Sequence, residues 1–344
     1  MLTEDIPAKI WKRKTPPRRV LAIRLQAMGD TVITLPYLQA LRNTLPPGTQ
    51  LDFLTRKEVD PIPRDLLLFD HVFSIGGKRN AGKQLISACL LLPRLLFRRY
   101  DVIIDLQNNR ISRLVTKILS PEAWSAFDRY SPRAAGERTR LTIEAAGLGP
   151  NYPDAGYRFR QTAFNENNIL EQCGWDGKSK LVILNPAGAF STRHWPMENY
   201  VAFAKLWLQD FPDTQFIALG IKFIAEKAQF LKSQLGGKLL YMIDNTSPSE
   251  GFRIIHRCSF MLSEDSGLMH MAWVLDKPTV VLLGSTRSDW VTPQSKHTLV
   301  FSSGDLPCGN CMLETCKFND VHCLTRYTPE LVFQKVKAFI KAIE

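Results

Sequence analysis

Short apolar runs, each followed by a segment with helical spacing, recur along nearly the whole of this 344-residue chain. Apolar runs of about four to eight residues favour buried strands, and helical segments between them favour parallel sheets. The predicted strands lie at residues 20–25, 50–55, 71–75, 101–107, 181–186, 215–220, 238–243, 259–264 and 279–284. The alternation predicts an α/β protein built from two Rossmann-like, doubly wound parallel-sheet domains.

A polar, irregular stretch from about residue 150 to 180 separates the two alternating series. We predict a loose basic tail over residues 1–17, an N-terminal domain over 18–165, a C-terminal domain over 178–327 and a closing helix over 328–344. Ligands of doubly wound sheets bind beyond the carboxyl ends of the strands. We therefore expect the active site in a central cleft between the two domains.

The charge is unevenly distributed along the chain. Residues 1–170 carry 26 Lys and Arg against 16 Asp and Glu, whereas residues 171–344 carry 18 against 17. A basic half predicts an anionic partner, although a solvated basic surface gives the same count. Nucleic acid is disfavoured because no signature of a nucleic-acid-binding fold accompanies the charge. No apolar run approaches the ~18–20 residues that cross a bilayer, and no secretory signal opens the chain, so we expect a cytoplasmic protein.

An acidic residue follows the first predicted strand, in "VLAIRLQAMGDTVITLP" (20–36). Loops at this point of a doubly wound sheet often bind phosphate through glycine amides, and a carboxylate would repel a phosphate. We place Asp30 at the N-cap of the following helix. Its chemical role is not explained by phosphate binding.

Three motifs follow strands in the second half. "NPAGAFSTRHWPMENY" (185–200) leads through Arg193 to a helix, and "LGIKFIAEKAQFL" (219–231) places Glu226 on a helix. In "SEDSGLMHMAWVLDKP" (263–278), Asp265, Ser266 and Gly267 begin a helix, with His270 about one turn in. A helix N-terminus suits a diphosphate.

Each of these residues also has a simpler explanation. The Asp-Ser-Gly segment is a good helix cap, Arg193 and Glu226 suit a solvated surface, and His270 suits a core. No G-x-G-x-x-G and no P-loop lysine motif follows a strand, which disfavours nicotinamide enzymes and P-loop NTPases.

Taken together, the motifs resemble those of the glycosyltransferase family 9 heptosyltransferases from about residue 19 to 340. The resemblance lies in "MGDTVITLPYLQALRNTLP", "YDVIIDLQNNRIS", "NPAGAFSTRHWPMENY" and above all "EDSGLMHMAWVLDKPTVVLLGST" (264–286). It implies a GT-B fold and an inverting, metal-independent transfer that requires no cofactor. The implied donor is a nucleotide diphosphate sugar, typically ADP-heptose. The implied acceptor is an anionic lipid-linked sugar of the lipopolysaccharide core, reached at the inner face of the cytoplasmic membrane.

The resemblance also implies roles for individual residues. Asp30 matches the family's catalytic aspartate, a general base that takes the proton from the acceptor hydroxyl. Arg193, where the family often has lysine, and the helix start at Ser266 and Gly267 would meet the diphosphate. The remaining donor-binding assignments are Asp265 for the sugar hydroxyls, His270 in the same motif, Glu226 for the ribose, the backbone of Gly188 and Ala189, and Thr246 near the base.

Four cysteines cluster near the C-terminus in "CGNCMLETCKFNDVHC": Cys308, Cys311, Cys316 and Cys323. Their spacing is compatible with a structural tetrathiolate zinc or iron site, and equally with a cluster of reduced thiols. The family resemblance extends to this segment.

Two alternatives to lipopolysaccharide heptosyl transfer stay open. One is a transferase of the same fold that acts on a protein or another glycan. The other is a catalytically inactive protein that binds nucleotide sugars or nucleic acid, although retention of Asp30 argues for catalysis. Arg94, Arg98 and Arg99, at the end of an apolar helix, are the candidates for contact with an anionic membrane surface.

Overall fold

The computed structural model describes residues 6–78, 80–292 and 295–343. The chain divides into two compact units, Met1–Gln161 (unit 1) and Thr162–Glu344 (unit 2). The division lies within the polar stretch that the sequence predicted as a connection.

Unit 1 is a six-stranded sheet flanked by helices. Its strands are β1 (Ala8–Lys9), β2 (Arg19–Ile23), β3 (Gln50–Arg56), β4 (His71–Ile75), β5 (Val102–Asp105) and β6 (Ala123–Ala126). Its helices are α1 (Met28–Thr44), α2 (Pro61–Asp65), α3 (Ala81–Arg98), α4 (Arg110–Leu119) and α5 (Ala135–Ala145). The strand order is β1-β6-β5-β2-β3-β4, and every pair except β1 with β6 is parallel. The order reverses between β2 and β5, which makes that point the expected ligand site of this sheet.

The N-terminal segment is more ordered than the sequence suggested. Ala8 pairs with Ser125 and Lys9 with Trp124 as an antiparallel edge of the sheet, and the Trp11 amide donates to the Ala146 carbonyl at 3.0 Å. The prediction of a loose tail is therefore wrong for this part of residues 1–17. The first five residues lie outside the described part of the chain.

Unit 2 repeats the architecture. Its strands are β7 (Lys180–Asn185), β8 (Thr214–Gly220), β9 (Leu239–Ile243), β10 (Phe260–Glu264), β11 (Thr279–Leu282) and β12 (Thr298–Phe301). Its helices are α6 (Glu166–Gln172), α7 (Met197–Asp210), α8 (Ala225–Leu235), α9 (Pro248–Arg257), α10 (Gly267–Val274), α11 (Ser288–Val291), α12 (His322–Thr325) and α13 (Pro329–Ile343). The order is β12-β11-β10-β7-β8-β9, wholly parallel, with the reversal between β7 and β10.

The apolar strands explain why these sheets form. The strand β5, Val-Ile-Ile-Asp, is buried at every position, as expected for a parallel strand covered on both faces. In unit 2 the core is rich in aromatic side chains, and Trp207 of α7 packs on Phe260 of β10 with ring centroids 4.8 Å apart. The closing helix α13 packs against α7. Within the described ranges, no helix is both long and apolar enough to cross a bilayer.

Candidate active site

The point where the strand order of unit 2 reverses brings most of the predicted donor residues together. Asn185 ends β7, and its side-chain amide donates to the hydroxyls of Ser263 (2.7 Å) and Ser266 (2.6 Å). These bonds tie the carboxyl end of β7 to the start of α10. The β7–α7 loop, which carries Arg193, and the β10–α10 loop, which carries Asp265, leave the sheet from these neighbouring strands.

Arg193 and Asp265 are ion-paired across these two loops. Arg193 Nη1 lies 2.6 Å from Asp265 Oδ2, and the Thr286 hydroxyl donates to the same oxygen at 2.7 Å. The Arg193 guanidinium also lies over the Phe190 ring, 4.9 Å from its centroid. Both charged side chains are largely buried. The cation predicted for the diphosphate and the carboxylate predicted for the sugar therefore hold each other in position.

The N-terminus of α10 lies next to this ion pair. Ser266 is its N-cap, and the Ser266 hydroxyl accepts a hydrogen bond from the Met269 amide at 3.3 Å. Gly267 is exposed, and no atom lies within 4 Å of the position that a Cβ would occupy there. The first-turn amides and the positive end of the helix dipole suit an anion. His270 lies one turn further on, with its ring centroid 5.3 Å from that of Trp273.

Glu264 is an organising residue of this site that the sequence analysis did not assign. It is fully buried at the end of β10, where its two carboxylate oxygens accept from the amides of Gly188 (2.8 Å) and Trp195 (2.7 Å). Lys227 Nζ lies 3.8 Å from the carboxylate. Burial raises the pKa of Glu264 to about 7 and lowers that of Lys227. Glu264 thus fixes both ends of the loop that presents Arg193.

Gly188 is confined by the same arrangement. A Cβ at Gly188 would lie 2.6 Å from the Arg193 carbonyl oxygen and 2.9 Å from Glu264 Oε2. The Gly188 carbonyl accepts from His194 Nε2 at 2.8 Å, and burial lowers the pKa of that imidazole. Both polar backbone groups of Gly188 are therefore bonded within the protein. The neighbouring Ala189 is exposed.

Glu226 and Thr246 follow the next two strands on the other side of β7. Glu226 is exposed in the first turn of α8, and Thr246 lies in the connection from β9 to α9. Because the strands are parallel, both residues lie at the same edge of the sheet as the Arg193 loop. The adjacent Lys227 reaches toward that loop and donates to the Pro186 carbonyl at 2.9 Å.

Asp30 lies at the corresponding reversal point of unit 1, between β2 and β5. The sequence prediction of its cap position is wrong by one turn. The helix α1 begins at Met28 with Ala27 as N-cap, so Asp30 occupies the third helical position. Its carboxylate reaches back to accept from the Ala27 amide at 3.1 Å and pairs with Arg24 Nη2 at 3.0 Å. The Asp30 side chain is 44% exposed.

Arg24 is held from several sides. It is buried and donates to the Leu106 carbonyl, and its guanidinium lies over the Phe127 ring, 4.9 Å from the centroid. Arg138 lies over the same ring at 5.0 Å. Burial, the largest effect, lowers the pKa of Arg24, and the charge of Asp30 opposes that shift. A fixed cation therefore orients the Asp30 carboxylate.

The loop before Asp30 is fastened by the "IIDLQNN" segment of the family-like motif. Gln107 Oε1 accepts from the amides of Leu25 and Gln26, both at 3.0 Å. Asp105, whose pKa is raised by burial, accepts from the amides of Gln107 (3.0 Å) and Asn108 (2.8 Å). The sequence located this motif but assigned it no role. In the structure its side chains hold the loop that precedes Asp30 in place.

The four-cysteine segment contacts the Arg193 loop through its backbone. Ser191 Oγ donates to the Glu314 carbonyl at 3.1 Å and Thr192 Oγ1 to that of Leu313 at 2.5 Å. Burial raises the pKa of Cys323 to about 11, and the other three thiols add to that shift. Across the described residues, however, no group of three or more His, Cys, Asp or Glu is placed to hold a metal ion. The four cysteines as placed do not form the predicted zinc or iron site.

Comparison with known proteins agrees with this arrangement. The family model described as glycosyltransferase family 9 (heptosyltransferase) matches residues 90–322. Lipopolysaccharide heptosyltransferase 1 of Salmonella typhimurium is 25% identical, over 88% of this chain and 100% of the relative.

Solved structures share the fold. A glycosyl transferase family 9 protein of Veillonella parvula superposes with a TM-score of 0.77 at 16% identity, covering 94% of this chain and 98% of the other. Escherichia coli heptosyltransferase WaaC with ADP-2-deoxy-2-fluoro heptose gives 0.65 at 19% identity, covering 93% and 99%.

The two doubly wound units and these structural matches define a GT-B fold, and the family match makes the protein a glycosyltransferase. More particularly, the chain belongs to glycosyltransferase family 9, the heptosyltransferase family.

Proposed function

We propose that this protein transfers a heptose from ADP-heptose, with inversion, to a lipid-linked acceptor of the lipopolysaccharide inner core. The Arg193–Asp265 pair beside the start of α10 is the observation that carries the proposal. It combines a cation and helix amides for a diphosphate with a carboxylate for sugar hydroxyls. The name of the Salmonella relative and the ligand of the WaaC structure support the choice of sugar and nucleotide.

In this proposal the donor is held by unit 2. The diphosphate meets Arg193 and the amides at Ser266 and Gly267, and Asp265 turns its remaining oxygen to the heptose hydroxyls. Glu226 accepts from the ribose, and Thr246 lies beside the base. When the donor binds, Arg193 exchanges part of its contact with Asp265 for a contact with the phosphate, because arginine binds phosphate strongly.

Asp30 acts on the acceptor. The acceptor hydroxyl oxygen attacks the anomeric carbon of the heptose while the bond from that carbon to the ADP oxygen breaks. The hydroxyl proton passes to the Asp30 carboxylate, and the departing ADP takes the electron pair of the broken bond. Arg193 stabilises the charge that develops on the diphosphate. Arg24 positions the carboxylate, as its 3.0 Å contact supports.

The acceptor matches the charge of unit 1. An anionic lipid-linked sugar is attracted to the half of the chain that carries the excess of Lys and Arg. In this proposal the protein works in the cytoplasm, at the inner face of the cytoplasmic membrane, and has no nucleic-acid partner.

No step above uses a metal or cofactor, and the four-cysteine segment is assigned a structural role. Its support is the pair of hydrogen bonds from Ser191 and Thr192 to its backbone. Transfer should therefore continue in excess EDTA. Elemental analysis of protein purified without chelator tests the predicted metal, and less than about a tenth of an equivalent of zinc and iron rejects it.

The direct test incubates the purified protein with ADP-heptose and purified inner-core lipid. We expect ADP release that depends on the acceptor, a heptosylated lipid by mass spectrometry, and an inverted anomeric configuration by NMR. Parallel reactions with other nucleotide sugars, and with protein in place of lipid, identify a different transferase. Nucleotide-sugar binding without transfer to any acceptor would contradict the proposal.

A further inference from the structure

Helix α3 carries a continuous apolar stripe that faces solvent. Ile86, Leu90 and Phe97 are 63%, 78% and 87% exposed. With the exposed Pro93 they follow the spacing i, i+4, i+7, i+11, which places all four on one face of the helix. Three large apolar side chains so exposed on one face form a continuous patch rather than scattered surface residues, and such patches mark interaction sites.

The stripe is not needed by the core of unit 1. The opposite face of α3 already packs inward through Ala88 and Leu95, with Leu91 and Leu92 at its margins. The helix therefore has two apolar faces, of which the fold uses one.

Cations lie along the stripe and acidic residues do not. Lys83 and Arg94 are exposed and stand three or four positions from stripe residues, so they border the apolar face. Arg99 is exposed directly after the helix. Neither α3 nor the neighbouring α4, which packs against it, contains Asp or Glu, and α4 adds Arg110, Arg113 and Lys117.

Arg98 contributes less to this surface than the sequence suggested. Its Nε lies 3.7 Å from the buried Asp52 carboxylate, and its guanidinium lies over Phe73 at 5.8 Å. The charge of Arg98 is therefore paired with a buried carboxylate. The Arg94 guanidinium also lies over the Phe73 ring, at 5.1 Å, but it stays exposed and no carboxylate pairs with it among the described residues. Lys83, Arg94 and Arg99 are thus the cations available to a partner.

We infer that α3 is a membrane-docking helix that lies in the surface of an anionic lipid bilayer. Ile86, Leu90 and Phe97 enter the acyl boundary while Lys83, Arg94 and Arg99 contact lipid phosphates. Charge complementarity selects this occupant. A second copy of the chain would bring two acid-free, cationic helices against each other, which like-charge repulsion opposes.

The test measures co-sedimentation of the full chain with vesicles of phosphatidylcholine containing about 30% phosphatidylglycerol. Vesicles of phosphatidylcholine alone are the reference, and none contains a sugar acceptor. We expect binding to the anionic vesicles only, weakening as salt rises. Because no transfer is measured, failure here is distinguishable from failure of the proposed function.

Three double variants separate the contributions. Leu90→Ser with Phe97→Ser should lower vesicle affinity at least tenfold, because two large apolar side chains no longer leave water. Lys83→Gln with Arg94→Gln should lower it about fivefold for each cation removed. The matched control is Phe318→Ser with Leu331→Ser, which removes two exposed apolar side chains of unit 2 and should bind as the wild type does.

Circular dichroism melts confirm that each variant is folded, as expected for changes confined to exposed positions. Undiminished binding by the Leu90/Phe97 variant would overturn the inference. A second result would also overturn it: the wild type is a dimer by light scattering, the Leu90/Phe97 variant is a monomer, and neither binds vesicles.

Discussion

Arg24, just after β2, and Asp30, in the first turn of α1, form an ion pair in which Nη2 of the first lies 3.0 Å from Oδ2 of the second. Arg24 is buried and fixed, whereas Asp30 remains partly exposed. Oδ2 takes both protein contacts, from Arg24 and from the Ala27 amide, and the side chain stays 44% exposed, as the proposed role of base for an external hydroxyl requires.

Replacing Asp30 with Asn should lower kcat by about 10²–10⁴ and leave ADP-heptose affinity near normal. Asn can still accept from the Ala27 amide, so the start of α1 should persist, but it cannot take a proton. Steady-state kinetics and calorimetric donor binding measure the two effects. Glu122→Gln is the matched control, because Glu122 also pairs with an arginine, Arg13, at an exposed site of unit 1. Asp30→Asn retaining more than about a tenth of wild-type turnover, with chemistry rate-limiting, would exclude Asp30 as the base.

Replacing Arg193 with Ala should weaken donor binding and slow turnover together. In the proposed mechanism the lost cation contacts the diphosphate both in the bound donor and in the departing ADP, and Asp265 loses its ion-pair partner. Arg193→Lys should retain part of both functions, since the charge persists without the planar fork. Lys337→Ala, which breaks the exposed pair with Asp210 in the same unit, serves as control. Normal donor affinity in Arg193→Ala would refute the assignment.

Replacing Gly188 with Ala should raise the KM for the donor and lower the melting temperature. The added methyl would lie 2.6 Å from the Arg193 carbonyl, so the Arg193 loop must move. Gly237→Ala is the control, because no atom lies within 4 Å of its Cβ position. Equal donor kinetics in the two variants would show that the loop tolerates the shift and that its geometry does not set affinity.

The buried Glu264 makes stability depend on pH. Its pKa is about 7 in the folded chain against an ordinary 4.5, so between these values the folded chain holds a proton that the unfolded chain lacks. The contribution of Glu264 to the free energy of unfolding therefore decreases as pH rises from about 4.5 to 7, and is constant above.

Urea unfolding at pH 5 and pH 8 measures this contribution. In Glu264→Gln the difference between the two pH values should shrink, and stability should fall at both, because an amide group cannot accept from both the Gly188 and Trp195 amides. Glu198→Gln, at an exposed position of α7, should keep the wild-type pH dependence. An unchanged pH difference in Glu264→Gln would contradict the raised pKa.

Periodicity predicted the long buried strands well, because runs such as Val102–Asp105 have few other ways to bury their side chains. It missed the short strand β12 (Thr298–Phe301). It also missed β1, whose two exposed residues are a strand only through pairing with β6, and β6 itself, whose Ala-Trp-Ser-Ala sequence has no apolar run. The strands β1 and β6 form because they pair with strands distant in the sequence, and a local sequence pattern carries no information about such pairing.

In the site, too, local sequence predicted some features, and others depend on residues distant in the sequence. The motifs located Asp30, Arg193 and Asp265, because each follows a strand that periodicity identifies. The start of α1 was misplaced, since Gly-Asp suggests a cap while the actual cap, Ala27, has no side chain for that role. For Glu264 the sequence showed only an acidic residue at the end of an apolar strand. Its partners, the amides of Gly188 and Trp195, lie about seventy residues away and require the fold to be known.

The backbone bonds from Ser191 and Thr192 to residues 313 and 314 also have a consequence for the order of synthesis. The hydroxyls that position the Arg193 loop find their acceptors only after more than a hundred further residues have been made. The helix α13, which covers α7, emerges later still. On the ribosome, unit 1 can complete its sheet and present Asp30 while the donor loop still lacks these contacts. The loop that carries Arg193 should therefore reach its final geometry only after residue 314 has been synthesised.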